Sequence, residues 1–254
     1  MTTPRAYRPR PAGTVPTTAM VMAAGLGKRM RPLTATRPKP LIEVAGKPLI
    51  DHVLDRLRAA GVERVVVNVH YLADLVEAHL AAVAGDLAVA VSDERARLLE
   101  TGGGLVAARG LLGEAPFFVA NADNLWLDGP ADALGLLAAQ WDDGAMDALL
   151  LLVPYARAHN HRGQGDFSLD AVGRLVRRPP GRVAPFVYSG VQIVSPRLLD
   201  GWAEEMAGEP FSTNLMWDRA IAAGRAFGAV HEGLWFDVGT PAAIAATEAV
   251  LAHG

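Results

Sequence analysis

The hydrophobic residues of this chain fall into two kinds of stretch: short, almost unbroken runs and longer segments with helical spacing. Residues 19–24 and 65–69 are runs of the first kind, which is typical of strands buried on both faces of a sheet. Between them, residues 48–60 carry apolar side chains at helical spacing and end before Gly61, a common residue at a helix end. The pattern predicts a strand, a helix and a second strand.

The same alternation continues to about residue 153. It predicts further helices over 72–83, 104–112 and 131–141, and further strands over 87–91, 116–120 and 148–153. Strands that alternate with crossover helices form a mostly parallel sheet covered on both faces. We therefore predict an α/β fold, with a Rossmann-like, three-layer, mostly parallel sheet and helices on both faces.

The pattern changes after Asp166. Residues 167–169 and 174–176 flank a turn-like segment, which predicts a small antiparallel hairpin added to the sheet. Beyond it we expect strands over 187–194 and 234–237, a helix over 215–223, and a final helix that begins at Pro241 after Thr240 as its N-cap. The C-terminus shows no hexapeptide repeat of a β-helix.

Length, charge and composition limit the class of protein. The 254 residues suit one domain over 19–254, preceded by a Pro- and Thr-rich tail over 1–18 that we expect to be disordered. The tail carries three arginines and no acid, so a net charge of −3 leaves −6 on the rest and argues against a nucleic-acid binder. Without cysteine, signal peptide or a run of about 18 apolar residues, we expect a cytoplasmic protein away from the membrane.

The lysines are concentrated in one place. Lys28, Lys39 and Lys47 are the only lysines among 24 basic residues, and they lie within twenty positions. A lysine is a compact, strongly hydrated point charge, so the cluster suggests an anionic ligand, although chance clustering is an alternative.

A glycine-rich loop over 25–33 follows the first predicted strand. Ligands of open α/β sheets bind at the carboxyl ends of strands, where this loop lies. A dinucleotide fingerprint needs a third glycine where Met30 stands, and a Walker-type loop needs a final Gly-Lys-Ser/Thr, which is absent. The loop alone could still be a connection with solvated charges.

The residues after this loop favour a ligand-binding loop over a simple connection. Thr36-Arg37-Pro38-Lys39-Pro40-Leu41 and Gly46-Lys47-Pro48-Leu49-Ile50 follow it. With the glycine loop before them, these motifs strongly resemble the sugar-1-phosphate nucleotidylyltransferases. The Glu100-Thr101-Gly102-Gly103-Gly104 turn, Asn121-Ala122-Asp123, Ser189-Gly190 and Phe236-Asp237-Val238-Gly239-Thr240-Pro241 follow in the family's order. The resemblance covers all of the chain except the tail.

The resemblance implies a reaction and a set of residues. In this family a sugar-1-phosphate oxygen attacks the α-phosphorus of a nucleoside triphosphate, and pyrophosphate leaves. The resemblance implies a nucleotide-binding half over about 19–130 and a sugar-phosphate half over about 131–254. It implies catalytic roles for Arg29, Lys39 and Asp123, and nucleotide contacts by Ala23, Gly25, Gly27, Lys28, Arg29, Gly103 and Asn121.

The same resemblance implies the residues that bind the metal and the sugar phosphate. Asp123 and Asp237 match the family's two metal-binding aspartates, and oxygen ligands of this kind suit Mg²⁺. The sugar phosphate is expected at Asp166, Arg178, Gly190 and Asn214. Arg178 would replace a lysine, because residues 177–179 read Arg-Arg-Pro where many members have Glu-Lys-Pro, although a solvated arginine is the alternative.

Within the family, the glycine turn, the Asp166-Phe167 loop and the segment around Asn214 resemble the short uridylyltransferases that act on N-acetylmuramate 1-phosphate in cell-wall recycling. The expected partners are therefore UTP and that sugar phosphate, with the protein a monomer or homodimer. Thymidylyl, guanylyl or cytidylyl transfer to another sugar phosphate uses the same scaffold. A catalytically inactive nucleotide-sugar sensor is an alternative of a different class, against which the retained aspartates and cations argue.

Overall fold

A computed structural model describes residues 14–252 of the protein. Residues 1–13 of the predicted tail lie outside the described residues, and the last residue assigned to the tail, Thr18, already begins the first strand.

Fourteen strands are present in the described residues: β1 Thr18–Met22, β2 Glu43–Val44, β3 Lys47–Pro48, β4 Arg64–Val69, β5 Ala88–Asp93, β6 Phe117–Asn121, β7 Asn124–Leu127, β8 Ala148–Pro154, β9 Ala158–His159, β10 Phe167–Leu169, β11 Leu175–Arg177, β12 Phe186–Val194, β13 Ala226–Val230 and β14 Leu234–Asp237. The described residues also form eight α-helices: α1 Leu49–Ala59, α2 Ala73–Val83, α3 Glu100–Ala107, α4 Arg109–Leu112, α5 Ala133–Gln140, α6 Trp202–Met206, α7 Thr213–Ala222 and α8 Pro241–Leu251. None of the helices in residues 14–252 is long and apolar enough to cross a membrane.

The main sheet has the order β11-β10-β12-β6-β1-β4-β5, and β8 and β13 extend it beside β12. Strands β6, β1, β4 and β5 run parallel and form one side of the sheet, ending at the edge strand β5, whereas β12 runs antiparallel to both β6 and β8. The predicted hairpin is formed by β10 and β11, which pair antiparallel. The predicted α/β class with a small antiparallel addition is confirmed.

Alternate side chains of the strands face two separate cores. In β1, Ala19 and Val21 pack with α1, α2 and α5, while Met20 packs on the opposite face with α3 and α7. Both sets are fully buried, because helices cover the sheet on each side. This arrangement is the predicted three-layer sandwich.

Two small sheets were not predicted. Strands β2 and β3 form one, and the other has the order β7-β14-β9. In the second sheet Asp237 pairs with Asn124, so the end of β14 lies beside the turn that follows β6. The short strand β7 brings a late part of the chain to the carboxyl edge of the main sheet.

Candidate functional site

The glycine-rich loop folds back on itself directly after β1. Gly27 has a positive φ of 58°, and its carbonyl accepts hydrogen bonds from the Met30 amide and the Thr34 hydroxyl, both at 2.9 Å. A Cβ at Gly27 would lie 3.0 Å from the Cβ of Lys39, so this position keeps the loop against the segment that carries Lys39.

The loop forms one wall of a cleft of about 450 Å³, called the loop cleft below. Residues 22–30 line it together with Lys39, Asn68, Thr101, Asn121 and Asp123. Of the predicted nucleotide residues, Ala23, Gly25, Gly27, Lys28, Arg29 and Asn121 all line this cleft. The side chains of Lys28 and Arg29 are exposed at its rim, where they can reach an anion.

Lys39 and Asp123 face each other in the loop cleft. Lys39 donates a hydrogen bond from Nζ to Oδ2 of Asp123, and its side chain is only 12% exposed. The two residues are 84 positions apart in the sequence. The structure therefore brings together two of the three residues predicted to be catalytic.

Arg29, the third, lies beside the predicted second metal ligand. Both side chains approach Gly239, since a Cβ there would lie 2.8 Å from Nη1 of Arg29 and from Oδ1 of Asp237. The pairing of Asp237 with Asn124 also puts it next to the turn that carries Asp123. The same edge of the sheet thus holds two carboxylates and three cations, since Lys28 also lines the loop cleft.

The donor set at this edge fits a magnesium ion that shares its coordination with phosphates. Within residues 14–252, no group of three or more His, Cys, Asp or Glu side chains could hold a metal alone. Two carboxylates are enough for Mg²⁺, which usually keeps several waters and binds substrate phosphate oxygens. Asp123 and Asp237 are the residues that would hold it.

A buried polar chain supports the floor of the loop cleft, and sequence reasoning missed it. The Ala23 amide donates to Oδ1 of Asn68 at 2.7 Å, and Nδ2 of Asn68 donates to Oε1 of Glu94 at 2.7 Å. The other carboxylate oxygen of Glu94 accepts from the Leu99 amide at 3.0 Å. Asn68 interrupts an otherwise apolar strand, which was the available signal that this position has a polar role.

A second cavity of about 270 Å³ opens beside the loop cleft, and it is called the hairpin cavity below. Asp166, Phe167, Arg177, Asn214 and Trp217 are among its lining residues. It shares Met22, Thr101 and Asn121 with the loop cleft, so the two spaces adjoin. Asp166 and Asn214, both predicted for the sugar phosphate, lie in this cavity.

Arg178 does not line either cavity. Its Nε donates to the Gly165 carbonyl at 2.9 Å, and its Nη1 donates to the Arg182 carbonyl at 2.9 Å and to Gln164. Adjacent residues of a strand point to opposite faces, and it is Arg177 that lines the hairpin cavity. A direct contact of Arg178 with the sugar phosphate stays a prediction. In the structure its guanidinium links Gln164 and Gly165 to Arg182.

Gly190 lies behind the cavities rather than on their surface. Its φ is +85°, at an irregularity in the pairing of β12 with β8. A Cβ there would overlap the side-chain amides of Asn121 and Asn124. Only glycine lets these amides pack on β12, so Gly190 positions Asn121 at the junction of the two cavities.

The predicted glycine turn over 100–104 is instead the first part of α3. The Gly103 amide donates to the Phe211 carbonyl at 3.2 Å, and Gly103 faces the segment over 209–211 rather than the loop cleft. The interpretation of this segment as a turn before a helix from 104 was wrong, because the helix begins at Glu100. From this helix, Glu100 and Thr101 line the loop cleft.

The chain is similar in sequence to a known protein family and to two bacterial enzymes. The family model described as Nucleotidyl transferase matches residues 18–253. The N-acetylmuramate alpha-1-phosphate uridylyltransferase of Caulobacter vibrioides is 51% identical over 241 residues, which cover 94% of this chain and 98% of that protein. The enzyme of the same name from Neisseria meningitidis is 37% identical over 230 residues, covering 87% of this chain and 93% of that protein.

Solved structures show the same fold at much lower identity. UDP-glucose pyrophosphorylase complexed with UDP-glucose superposes with a TM-score of 0.75 at 16% identity, over 94% of this chain and 99% of that one. The inositol-1-phosphate CTP transferase from T. maritima gives 0.73 at 19% identity, over 91% of this chain and 92% of that one.

Proposed function

This chain belongs to the nucleotidyl transferase family, and from that premise we propose that it transfers the uridylyl group of UTP to N-acetylmuramate 1-phosphate. The products are UDP-N-acetylmuramate and pyrophosphate. The observation that carries the proposal is the pair of adjoining cavities, one lined by cations and one by polar and aromatic side chains, with Asn121 in both. The 51% identity with the uridylyltransferase of C. vibrioides supports the choice of base and sugar.

The loop cleft suits a nucleoside triphosphate. Like charges about 4 Å apart repel by roughly 1 kcal/mol in water and by several times more at a protein site. Lys28 and Arg29 at the rim and Lys39 inside reduce this repulsion when a second phosphate approaches. Magnesium, when bound by Asp123 and Asp237, would supply further positive charge at the reacting phosphates.

The chain's contribution to the reaction is then positioning and charge. A sugar-1-phosphate oxygen forms a bond to the α-phosphorus, and the bond from that phosphorus to the bridging oxygen of pyrophosphate breaks. Lys39 is held in place by Asp123 and can donate a hydrogen bond to the phosphate that is transferred. Alignment of two bound reactants can supply roughly 7–11 kcal/mol of the barrier reduction.

The division of the domain supports this arrangement. Nearly all residues of the loop cleft lie between 22 and 123, and Gly239 is the one contribution from the C-terminal half. The hairpin cavity takes most of its polar lining from residues 166–217. We propose that residues 19–130 bind the nucleotide and 131–254 bind the sugar, in a cytoplasmic enzyme.

The test is a pyrophosphate-release assay with Mg²⁺ over a grid of UTP, dTTP, GTP and CTP against several sugar 1-phosphates. We expect UTP with N-acetylmuramate 1-phosphate to give the highest kcat/KM. A clear preference for dTTP or GTP with a hexose 1-phosphate would overturn the substrate and keep the family. No pyrophosphate with any pair would favour an inactive nucleotide-sugar sensor.

A further inference from the structure

Arg177 is the last residue of β11, and it points into the hairpin cavity. Leu175 before it is buried and Val176 is exposed, as alternation along a strand requires. The guanidinium carbon of Arg177 lies 4.9 Å from the ring centre of Phe167 and 5.8 Å from that of Trp217. Contacts with two aromatic rings restrict where this cation can point.

Hydrogen bonds further restrict the orientation of the Arg177 guanidinium. Nε of Arg177 donates to Oδ1 of Asp218 at 2.6 Å, and Nη2 donates to the Asn214 carbonyl at 3.0 Å. Within the described residues, no hydrogen bond is made by Nη1. Asp218 is about half exposed, so water screens much of its charge. The guanidinium is therefore held in one orientation with donor capacity left for a ligand.

The hairpin cavity has a distinctive charge pattern. Of the described residues that line it, Arg177 is the one base and Asp166 the one acid. The carboxylate of Asp166 already accepts the Tyr188 amide at 2.8 Å. The cations suited to phosphates, Lys28, Arg29 and Lys39, line the loop cleft and not this cavity. An anionic group other than the reacting phosphates is the ligand that Arg177 fits.

The proposed substrate has such a group. N-acetylmuramate differs from N-acetylglucosamine by a lactyl ether on the sugar ring, and its carboxylate is ionised at neutral pH. We propose that Arg177 binds this lactyl carboxylate and so determines the specificity of the enzyme for the acidic sugar. The inference rests on the proposed function. A planar guanidinium binds a carboxylate with two parallel hydrogen bonds, which adds direction as well as charge.

The experiment compares two nucleotide sugars that share the UDP group. Calorimetry measures the Kd of UDP-N-acetylmuramate and of UDP-N-acetylglucosamine for the parent protein, Arg177→Gln and Arg177→Lys. The parent binds the acidic sugar more tightly, and Arg177→Gln reduces that preference by about 10–100-fold, the range for a hydrogen bond to a charged group. Arg177→Lys restores part of the preference.

Arg219→Gln is the matched control. Arg219 is also an arginine over an aromatic ring, 3.7 Å from the centre of Trp202, and it pairs with Glu205 outside the hairpin cavity. We expect it to keep the parent's preference. If Arg177→Gln does not fold, the methyl ester of UDP-N-acetylmuramate tests the same contact on the parent protein, since the ester has lost the charge and should bind about as weakly as UDP-N-acetylglucosamine.

The outcomes separate this inference from the proposed function. If the parent releases pyrophosphate from UTP and N-acetylmuramate 1-phosphate but binds the two UDP-sugars or the ester equally, the function stands and the role of Arg177 is overturned. An equal loss of affinity for both UDP-sugars in Arg177→Gln would also overturn it and point to a contact with the phosphate. If the parent neither reacts with nor binds the acidic sugar, the proposed function fails first.

Discussion

Lys39 and Asp123 form an ion pair inside the loop cleft, whereas Lys47 and Asp55 form a second Lys–Asp pair on the surface, where Asp55 also pairs with Arg58. The side chains of the first pair are 12% and 35% exposed, and those of the second are 40% and 48% exposed. Exposed pairs contribute little to stability, about 0–1 kcal/mol. Substitutions in the second pair can therefore serve as controls for substitutions in the first.

Lys39→Met should reduce kcat/KM by about 10²–10³-fold, because it removes a preorganised positive charge from the reacting phosphates. Lys47→Met should change kcat/KM by less than about two-fold, as expected for a surface pair. Steady-state pyrophosphate release with saturating Mg²⁺ measures both. Similar losses in the two variants would mean that the effect is general electrostatics and not a contact of Lys39.

Asp123→Asn and Asp237→Asn should each reduce the rate by about 10²–10⁴-fold, because each removes half of the charge that would hold magnesium. The Mg²⁺ concentration for half-maximal rate should rise in both, while the circular dichroism spectrum stays that of the parent. Asp55→Asn is the control. Normal turnover of either variant at low Mg²⁺ would reassign that aspartate to a structural role.

Glu94→Gln should weaken the support beneath Ala23. The carboxylate accepts from both Asn68 and Leu99, and a glutamine offers one oxygen in place of two, so one buried N–H group loses its partner. We expect a loss of about 1–3 kcal/mol in the free energy of unfolding, measured with urea, and a higher KM for UTP. An unchanged KM with reduced stability would limit Glu94 to a folding role.

Gly190→Ala should destabilise the protein by roughly 1–3 kcal/mol, since a side chain at positive φ is strained and would also displace Asn121 and Asn124. Gly110→Ala is the comparison. Gly110 is an exposed residue of α4, and a methyl group added to it would have no neighbour within 4 Å, so alanine there should stabilise the helix by about 0.5–1 kcal/mol. Thermal melts of the two variants should shift in opposite directions.

The pH dependence of stability should include a contribution from His231. Burial lowers the pKa of this histidine from its ordinary value of 6.5, and burial lowers the pKa of His52 as well. The unfolded chain then binds a proton more readily than the folded one. The contribution of His231 to the free energy of unfolding is therefore complete above about pH 6.5, and it is lost as the pH falls below that value. Urea titrations at pH 7.5 and 5.5 should show a smaller fall for His231→Asn than for the parent. Equal falls would contradict this assignment.

The sequence predicted the main sheet well because its strands are strongly apolar and its helices strongly periodic. It did not predict β13 at the edge beside β8, nor β7 and β9. Because no pattern within β7 or β14 identifies its partner strand, the route by which Asp237 reaches the site was not visible. Whether Arg177 or Arg178 lines the hairpin cavity depends on the direction of each side chain, and β11, with only three residues, is too short for its sequence to show that direction. Glu94 was missed because it stands between Asp93 and Arg95, in a charged stretch at a strand end that looks like protein surface until the burial of Glu94 is known.

Because β14 pairs with β7, the site can be completed only late in the synthesis of the chain. Asp237 comes more than a hundred residues after its strand partner Asn124, so a chain growing from its N-terminus holds Asp123 and the glycine loop long before the second carboxylate exists. Domains begin to fold during synthesis from the N-terminal side. On the roles proposed for Asp123 and Asp237, an unfinished chain therefore carries the lysines of the loop cleft without a complete magnesium site, which forms only when β14 has paired with β7.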